Sequence, residues 1–523
     1  MGWVEGAEGF LNKHIRAIGI IIAICGISIR VCVASNSYLD PDEALHYTIA
    51  AFPWHGLVGF YFNTTYILHP PLLIALLQPV MFFGHSEVLL RLVPSVSGAL
   101  FPWFVMLWVQ RFAGNGAALI AQLLLTFSPA LIDLSAEVRA YTLAFLFFSV
   151  SLLFLEKSLE SGSNASMIWF NVFLCLAVLS EYAVAWFMAA AGIYAILRLW
   201  KRPASGRLFL VWALGQFVAL ALYLFLYITD VARLSHKALE GMYTTWLGAG
   251  FPQPHENLLR FAAHGTLQQF EYMFQLRELD WPCAIVFLLG VYWLWRRKSP
   301  LHAILMVLPF CFACLGAIFY LFPYGPSRHS AVLDIAIAAT VGAGAAQFAR
   351  NRLLPIAAVA LPCVLIWIFL STHSHEAVAG YLTMPRPDRQ LRDMKAATAF
   401  LQKKVPDGAL ILTDYNTDRM LGYYLGCPAF GSIDWRMPYS NHDCGILHFA
   451  IYPSDQFESL ADIQGGLAKV HATYGSERSV WIVSGGWGSR SSIANSVPAA
   501  TLFGNALIIF QESDLRPQTS AHS

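Results

Sequence analysis

Charge is scarce in this chain. Asp, Glu, Lys and Arg make up only 12% of its 523 residues, whereas 57% are hydrophobic. Mean hydropathy is +0.55. That balance excludes an ordinary soluble domain and indicates a polytopic membrane protein. The net charge of +1 leaves no basic excess with which to hold nucleic acid. Internal repeats and low-complexity tracts are lacking too. Gly485-Gly486-Trp487-Gly488 follows a strand-like run but lacks the G-x-G-x-x-G spacing of a dinucleotide site, so it reads as a turn. Of nine cysteines, seven lie in apolar segments and read as small packing residues. Cys427 and Cys444 lie in the polar C-terminal part. They could pair in an oxidising compartment, but spacing alone does not show it.

What is abundant is apolar sequence. The first run, 15–34, is long enough to cross a bilayer and lacks the short core and small-residue cleavage site of a signal peptide, so it reads as a retained span. Eleven spans are expected in all, at 15–34, 91–109, 116–134, 141–155, 167–181, 183–199, 208–228, 281–295, 302–322, 330–349 and 353–371. The apolar stretch 70–83 is too short for a span and suits an interfacial or re-entrant segment. With that stretch not crossing and the N-terminus inside, thirteen Lys and Arg fall on inner loops, including Lys201-Arg202 and Arg296–Lys298. Seven fall on the much longer outer loops up to residue 371. This is the positive-inside pattern. Long segments and function should therefore face outward.

The expected architecture is an α-helical membrane domain, 1–371, with a first outer loop at 35–90, followed by a soluble α/β domain, 372–523. Charged residues become frequent after about residue 372, and Pro385 and Pro387 mark a linker. Helices are expected over 389–405, near 418–425 and near 455–471, with strands at 409–415, 446–452, 480–484 and 506–511.

Four polar clusters fall at the outer membrane edge. The first lies in Y-L-D-P-D-E-A-L-H-Y, residues 38–47. Asp40 can cap a helix, Pro41 suits its first position and Glu43 closes a capping box. Asp42 is left without a capping role. It either complements the helix dipole or does chemistry. The loop 35–90 contains no Lys or Arg. The second cluster is His69-Pro70-Pro71. The third is Glu137-Val138-Arg139-Ala140-Tyr141, and the fourth is Gly325-Pro326-Ser327-Arg328-His329. Each has an ordinary reading: either arginine can snorkel to lipid phosphates, and Glu137 can pair locally with Arg139. Together they form an acidic loop and two cationic turns on a face poor in cations, which is what a lipid-phosphate substrate needs.

In this order, with A-E-V-R-A-Y-T-L-A-F as the third element and Y-G-P-S-R-H as the fourth, the motifs resemble those of the GT-C glycosyltransferases. The likeness is to bacterial relatives of protein O-mannosyltransferases, including aminoarabinose transferases and rhizobial galacturonosyltransferases (families 39 and 83), and covers about residues 10–350. The resemblance implies that Asp42, with Glu43 beside it, is the base or acceptor-orienting carboxylate. It implies that His69 and Arg139 lie around the donor phosphate. Aminoarabinose transferases have Lys in place of His69; protein mannosyltransferases have His. Many members carry an Asp shortly after the second-loop Arg. Here Tyr141 and Thr142 stand in that region, which leaves a second catalytic Asp, or a divalent metal bound there, open.

The chemistry expected is transfer of one sugar from a polyprenyl-phosphate donor to a hydroxyl of a glycolipid, polysaccharide or protein, at the outer face of a bacterial inner membrane. Arg139, Arg328, His69 and His329 would stabilise the departing phosphate, and Asp42 would take the hydroxyl proton. Asp40, Glu137 and Tyr141 would support them. The rivals are an oligosaccharide-lipid transferase or ligase, a secondary transporter, and a non-catalytic scaffold. Transporter sites usually sit near the midplane with repeat symmetry, and neither feature is visible here.

Overall fold

The computed structural model describes residues 2–52, 69–201, 206–233, 247–275, 277–298, 300–350, 389–427, 441–445, 447–452, 456–485 and 490–515. The chain divides into two compact units, which interleave along the sequence. Unit 1 comprises Met1–Val31, Thr65–Leu76 and Arg91–Val378; unit 2 comprises Cys32–Thr64, Leu77–Leu90 and Ala379–Ser523.

Unit 1 is helical. After α1 (Gly2–Asn36) and α3 (Leu72–Met81), which both run on into unit 2, come α4 (Leu92–Ala113), α5 (Asn115–Phe127), α6 (Pro129–Ser135), α7 (Tyr141–Ser161), α8 (Asn164–Val178), α9 (Ala185–Trp200) and α10 (Gly206–Thr229). Then follow α11 (Leu258–Phe274), α12 (Asp280–Trp293), α13 (Pro300–Ile318) and α14 (Asp334–Arg350). Among the described residues seven helices are long and apolar enough to cross a membrane, or eight if the bent pair α5–α6 counts as one span. Of the other three expected spans, two are the shorter helices α8 and α12, and 353–371 lies outside the described residues. At 10 residues, α3 rises only about 15 Å, half the hydrocarbon thickness of about 30 Å, and so is too short to span.

Small residues let the helices approach closely. A Cβ on Gly290 of α12 would lie 2.1 Å from the Thr340 carbonyl oxygen of α14, and one on Gly342 would lie 2.5 Å from that of Ala117 in α5. The 60° bend between α5 and α6 has a local cause. Ser128 caps α6, Pro129 takes its first position, and the Ser128 hydroxyl donates to the Met273 carbonyl at 2.6 Å. The bend delivers the chain to the Glu137–Tyr141 turn.

Unit 2 is a three-layer α/β domain together with part of the first loop. Its described elements are α2 (Pro41–Ala50), α15 (Leu391–Lys404), β1 (Leu410–Thr413), α16 (Tyr415–Tyr424), β2 (His442–Cys444), β3 (Leu447–Ile451), α17 (Leu460–Tyr474), β4 (Val480–Gly485), α18 (Arg490–Ser496), β5 (Thr501–Phe503) and β6 (Leu507–Gln511). The sheet order is β2-β3-β1-β4-β6-β5. Strand β1 pairs in parallel with β3 and β4; the outer pairings are antiparallel. Alternation sorts the core. Ile411 joins Leu391, Met394 and Leu401 of α15 on one face, whereas Leu410 and Leu412 join Ile463 and Leu467 of α17 on the other. Cys427 and Cys444 form a disulfide with a Cα–Cα distance of 5.4 Å. The expected strands and helices are found, and β2, β5 and α18 are present in addition. The Gly486–Gly488 part of the expected turn and the linker prolines lie outside the described residues.

Candidate functional site

The acidic motif belongs to unit 2, and its local physics is visible atom by atom. Asp40 accepts the Glu43 N–H at 2.7 Å, and Glu43 Oε2 accepts the Asp40 N–H at 3.1 Å. This is the expected capping box, with Pro41 at the first helical position. Both carboxylates are buried, Asp40 at 2% exposure and Glu43 at 0%. The cation that meets them is Arg389: its Nη1 lies 2.8 Å from Asp40 Oδ2 and 3.8 Å from Glu43 Oε2. Asp42 stands outside the box and is partly exposed. One turn on, the His46 Nδ1–H donates to the Asp42 backbone carbonyl at 2.7 Å.

The other three clusters belong to unit 1, and the fold joins them. Arg139 Nη1 lies 3.4 Å from His69 Nε2, although 70 residues separate them. The His329 ring meets the Tyr141 ring edge-on at 6.0 Å and the Phe322 ring at 5.8 Å. Burial, then the charges of Arg328 and Arg139, push the His329 imidazole down to about 3. It is therefore neutral at pH 7 and can meet an anion through an N–H, not through a charge. That both arginines act on one imidazole places Arg139 and Arg328 within electrostatic reach of a common point. Arg139 is only 2% exposed, so it does not snorkel to lipid. Glu137 and Tyr141 are buried beside it. Within the turn, the Arg139 N–H donates to the Glu137 carbonyl at 2.8 Å.

Two residues at this site escaped the sequence reading. Glu181 is buried in the turn between α8 and α9. Its carboxyl is raised to about 7, chiefly by burial, against the Tyr182 and Ala183 N–H groups and the charges of Arg139 and Arg328. The same turn accepts the Leu72 N–H at the Leu179 carbonyl (3.0 Å), which ties it to the segment that carries His69. Glu181 is the last residue of the expected span 167–181. An ionisable residue at a span edge was the signal available. Arg30 was similarly hidden inside the first span. Fully buried, it donates from Nε to Ser135 Oγ (2.8 Å) and from Nη1 to the Gly26 and Thr126 carbonyls (both 3.1 Å). It thereby fixes α6 just before the Arg139 turn.

Among the described residues no group of three or more His, Cys, Asp or Glu side chains is gathered to hold a metal ion.

Residues 68–228 match the family described as dolichyl-phosphate-mannose-protein mannosyltransferase. No curated relative matches by sequence. Among solved structures, the chain is similar to ArnT from Cupriavidus metallidurans bound to undecaprenyl phosphate, with a TM-score of 0.53 and 15% identity over 98% of this chain and 100% of that one. It is also similar to the oligosaccharyltransferase AglB from Archaeoglobus fulgidus in complex with an inhibitory peptide and a dolichol-phosphate, with a TM-score of 0.51 and 12% identity over 90% of this chain and 70% of that one.

Proposed function

The chain has the fold of the GT-C glycosyltransferase superfamily, and from that premise we propose that it transfers a single sugar from a polyprenyl-phosphate donor to an acceptor hydroxyl, with inversion. The observation that carries this reading is the approach of Arg139 to His69 at 3.4 Å, with Arg328 and Arg139 both acting electrostatically on the buried His329. A phosphate ester is the ligand that two convergent guanidinium groups suit best, because their N–H forks match its oxygens. ArnT and AglB, with the same fold, hold undecaprenyl phosphate and dolichol-phosphate in their structures.

In the proposed step the acceptor oxygen attacks the anomeric carbon. The bond from that carbon to the phosphate oxygen breaks, and its electron pair leaves with the polyprenyl phosphate. Arg139 and Arg328 hold the growing negative charge, and His69 and His329 donate N–H groups. Asp42 receives the hydroxyl proton. Asp40 and Glu43 hold the turn that presents it. The site faces the periplasm of a bacterial inner membrane, with the N-terminus cytoplasmic and the domain 372–523 outside.

Purified protein given a radiolabelled polyprenyl-phosphate sugar and a hydroxyl acceptor should move the label to the acceptor and release polyprenyl phosphate. If the label stays on the lipid across hexose, pentose and uronic-acid donors, the reading fails. A periplasm-dependent reporter fused after Ser523 should be active, and one fused at Lys201 silent; the reverse would overturn the orientation.

A further inference from the structure

Within unit 2, residues of the C-terminal α/β part grip the acidic turn from several directions. Arg389 is the first contact. A capping box of two buried carboxylates carries two like charges out of water, which is unfavourable unless a cation meets them. Here the Arg389 guanidinium reaches both, at 2.8 and 3.8 Å. Its own backbone carbonyl accepts the Tyr38 N–H at 3.1 Å, so main chain and side chain hold the same turn.

Beyond Arg389, the Tyr38 ring is buried in the core formed by Leu391, Met394 and Leu401, and its hydroxyl donates to the Asn505 carbonyl at 3.1 Å. Helix α16 supplies two more contacts. The Tyr424 hydroxyl accepts the Leu39 N–H at 2.8 Å, and the Tyr423 hydroxyl donates to the His85 carbonyl at 2.5 Å. The Tyr423 ring meets Tyr47 of α2 edge-on at 5.0 Å. The residues from Tyr38 to Tyr47, which bracket Asp42, are thus held by side chains that follow them by hundreds of positions.

We propose that Arg389 is a positioning residue for Asp42: through its ion pair with the Asp40–Glu43 cap, the C-terminal domain sets the orientation of the catalytic turn and is part of the transfer machinery. The proposal rests on the reading of Asp42 as the proton acceptor. Losing the ion pair lets the first turn of α2 fray, and Asp42 sits in that turn. Orientation of a base affects turnover far more than donor affinity, because misplacement is felt chiefly in the transition state.

The test uses the full chain in lipid nanodiscs, with Arg389→Gln, Arg389→Lys and, as a control, Arg392→Gln, whose side chain is 71% exposed. Three readouts are taken: kcat for sugar transfer, Kd for undecaprenyl phosphate, and hydrogen exchange. Arg389→Gln should lower kcat at least tenfold, with Kd changed less than twofold. Amide protection should fall over 41–50 and persist over 410–413. Arg389→Lys should recover part of the kcat, and Arg392→Gln should match the wild type. An Arg389→Gln protein with kcat within twofold of wild type overturns the proposal, as does equal loss of protection in β1, which would mark a general folding defect. Should Arg389→Gln not fold, Tyr424→Phe removes one hydroxyl from the same grip. A threefold or greater fall in kcat at unchanged Kd supports the proposal, and no fall overturns it. Failure of the Asp42 reading shows separately, as normal turnover by Asp42→Asn.

Discussion

Three carboxylates fall within four residues of the acidic motif, and the structure divides their work. Asp40 and Glu43 close the cap and meet Arg389, whereas Asp42 lies outside the box. Replacing Asp42 by Asn should therefore leave α2 folded and lower sugar transfer by roughly 10²–10⁴-fold, the usual worth of a positioned base. Circular dichroism and a transfer assay on one preparation check both halves, and near-normal turnover would remove Asp42 from the mechanism. For the arginines, Arg139→Ala should weaken binding of undecaprenyl phosphate by about 1.5–3 kcal/mol, the worth of a hydrogen bond to a charged group. Arg139→Lys should recover only part of this, since an ammonium lacks the planar fork. The Arg139→Ala, Arg328→Ala double mutant should lose less or more than the sum of the singles, as expected for two groups on one phosphate; strictly additive losses would separate them. The acidic cap was legible from Asp-Pro-x-Glu alone because capping is local. The partnership of His69 with Arg139 was not, because it depends on how α3 and the α6–α7 turn pack. Glu181 and Arg30 were hidden by the hydrophobicity of their neighbours.

At the scale of elements, the strands β1, β3, β4 and β6 were legible because each is an apolar run bounded by turn residues. Strands β2 and β5 have three residues each and lie at the two edges of the sheet, so neither offered a long apolar run. Helix α16 begins three residues earlier than expected, because Asp414 caps it by accepting the Thr417 N–H at 2.8 Å. Asp414 is wholly buried, also accepts from Phe457 N–H and the Ser484 hydroxyl, and is raised to about 6, mainly by burial. A carboxyl raised above its unfolded value of 3.8 stabilises the fold fully below that value, and this contribution is lost as pH rises through about 6. The unfolding free energy of unit 2, relative to that of Asp414→Asn, should therefore rise as pH is lowered from 7 to 4, by an amount on the order of 3 kcal/mol at most, which denaturant titrations at the two pH values would measure. A difference independent of pH would refute the assignment. The Cys427–Cys444 bridge closes a short loop, with a sequence separation of 17. Cys427→Ser should cost unit 2 about 3 kcal/mol by the loop-entropy relation. A denaturant titration followed by Trp fluorescence would measure it, and an unchanged midpoint would count against the bond.

For the whole molecule, the membrane helices and the α/β layer were both legible from hydropathy and charge, but their interleaving was not. A boundary near residue 371 follows composition. The compact units instead assign Cys32–Thr64 and Leu77–Leu90 to the same body as Ala379–Ser523, because Tyr38, Leu39, His85 and the cap find their partners there. A chain ended at residue 371 should thus keep undecaprenyl phosphate binding but show no sugar transfer. Retained transfer would mean that the acidic turn stands without its grip. The order of synthesis gives the same feature a meaning in time. Leu39 and the tyrosine that holds it, Tyr424, are 385 residues apart. At roughly 5–20 residues per second, about 20–80 s pass between their appearances at the ribosome. Throughout that interval the acidic turn exists without its clamp, so a nascent chain acquires an assembled acidic turn only once helix α16 has been made.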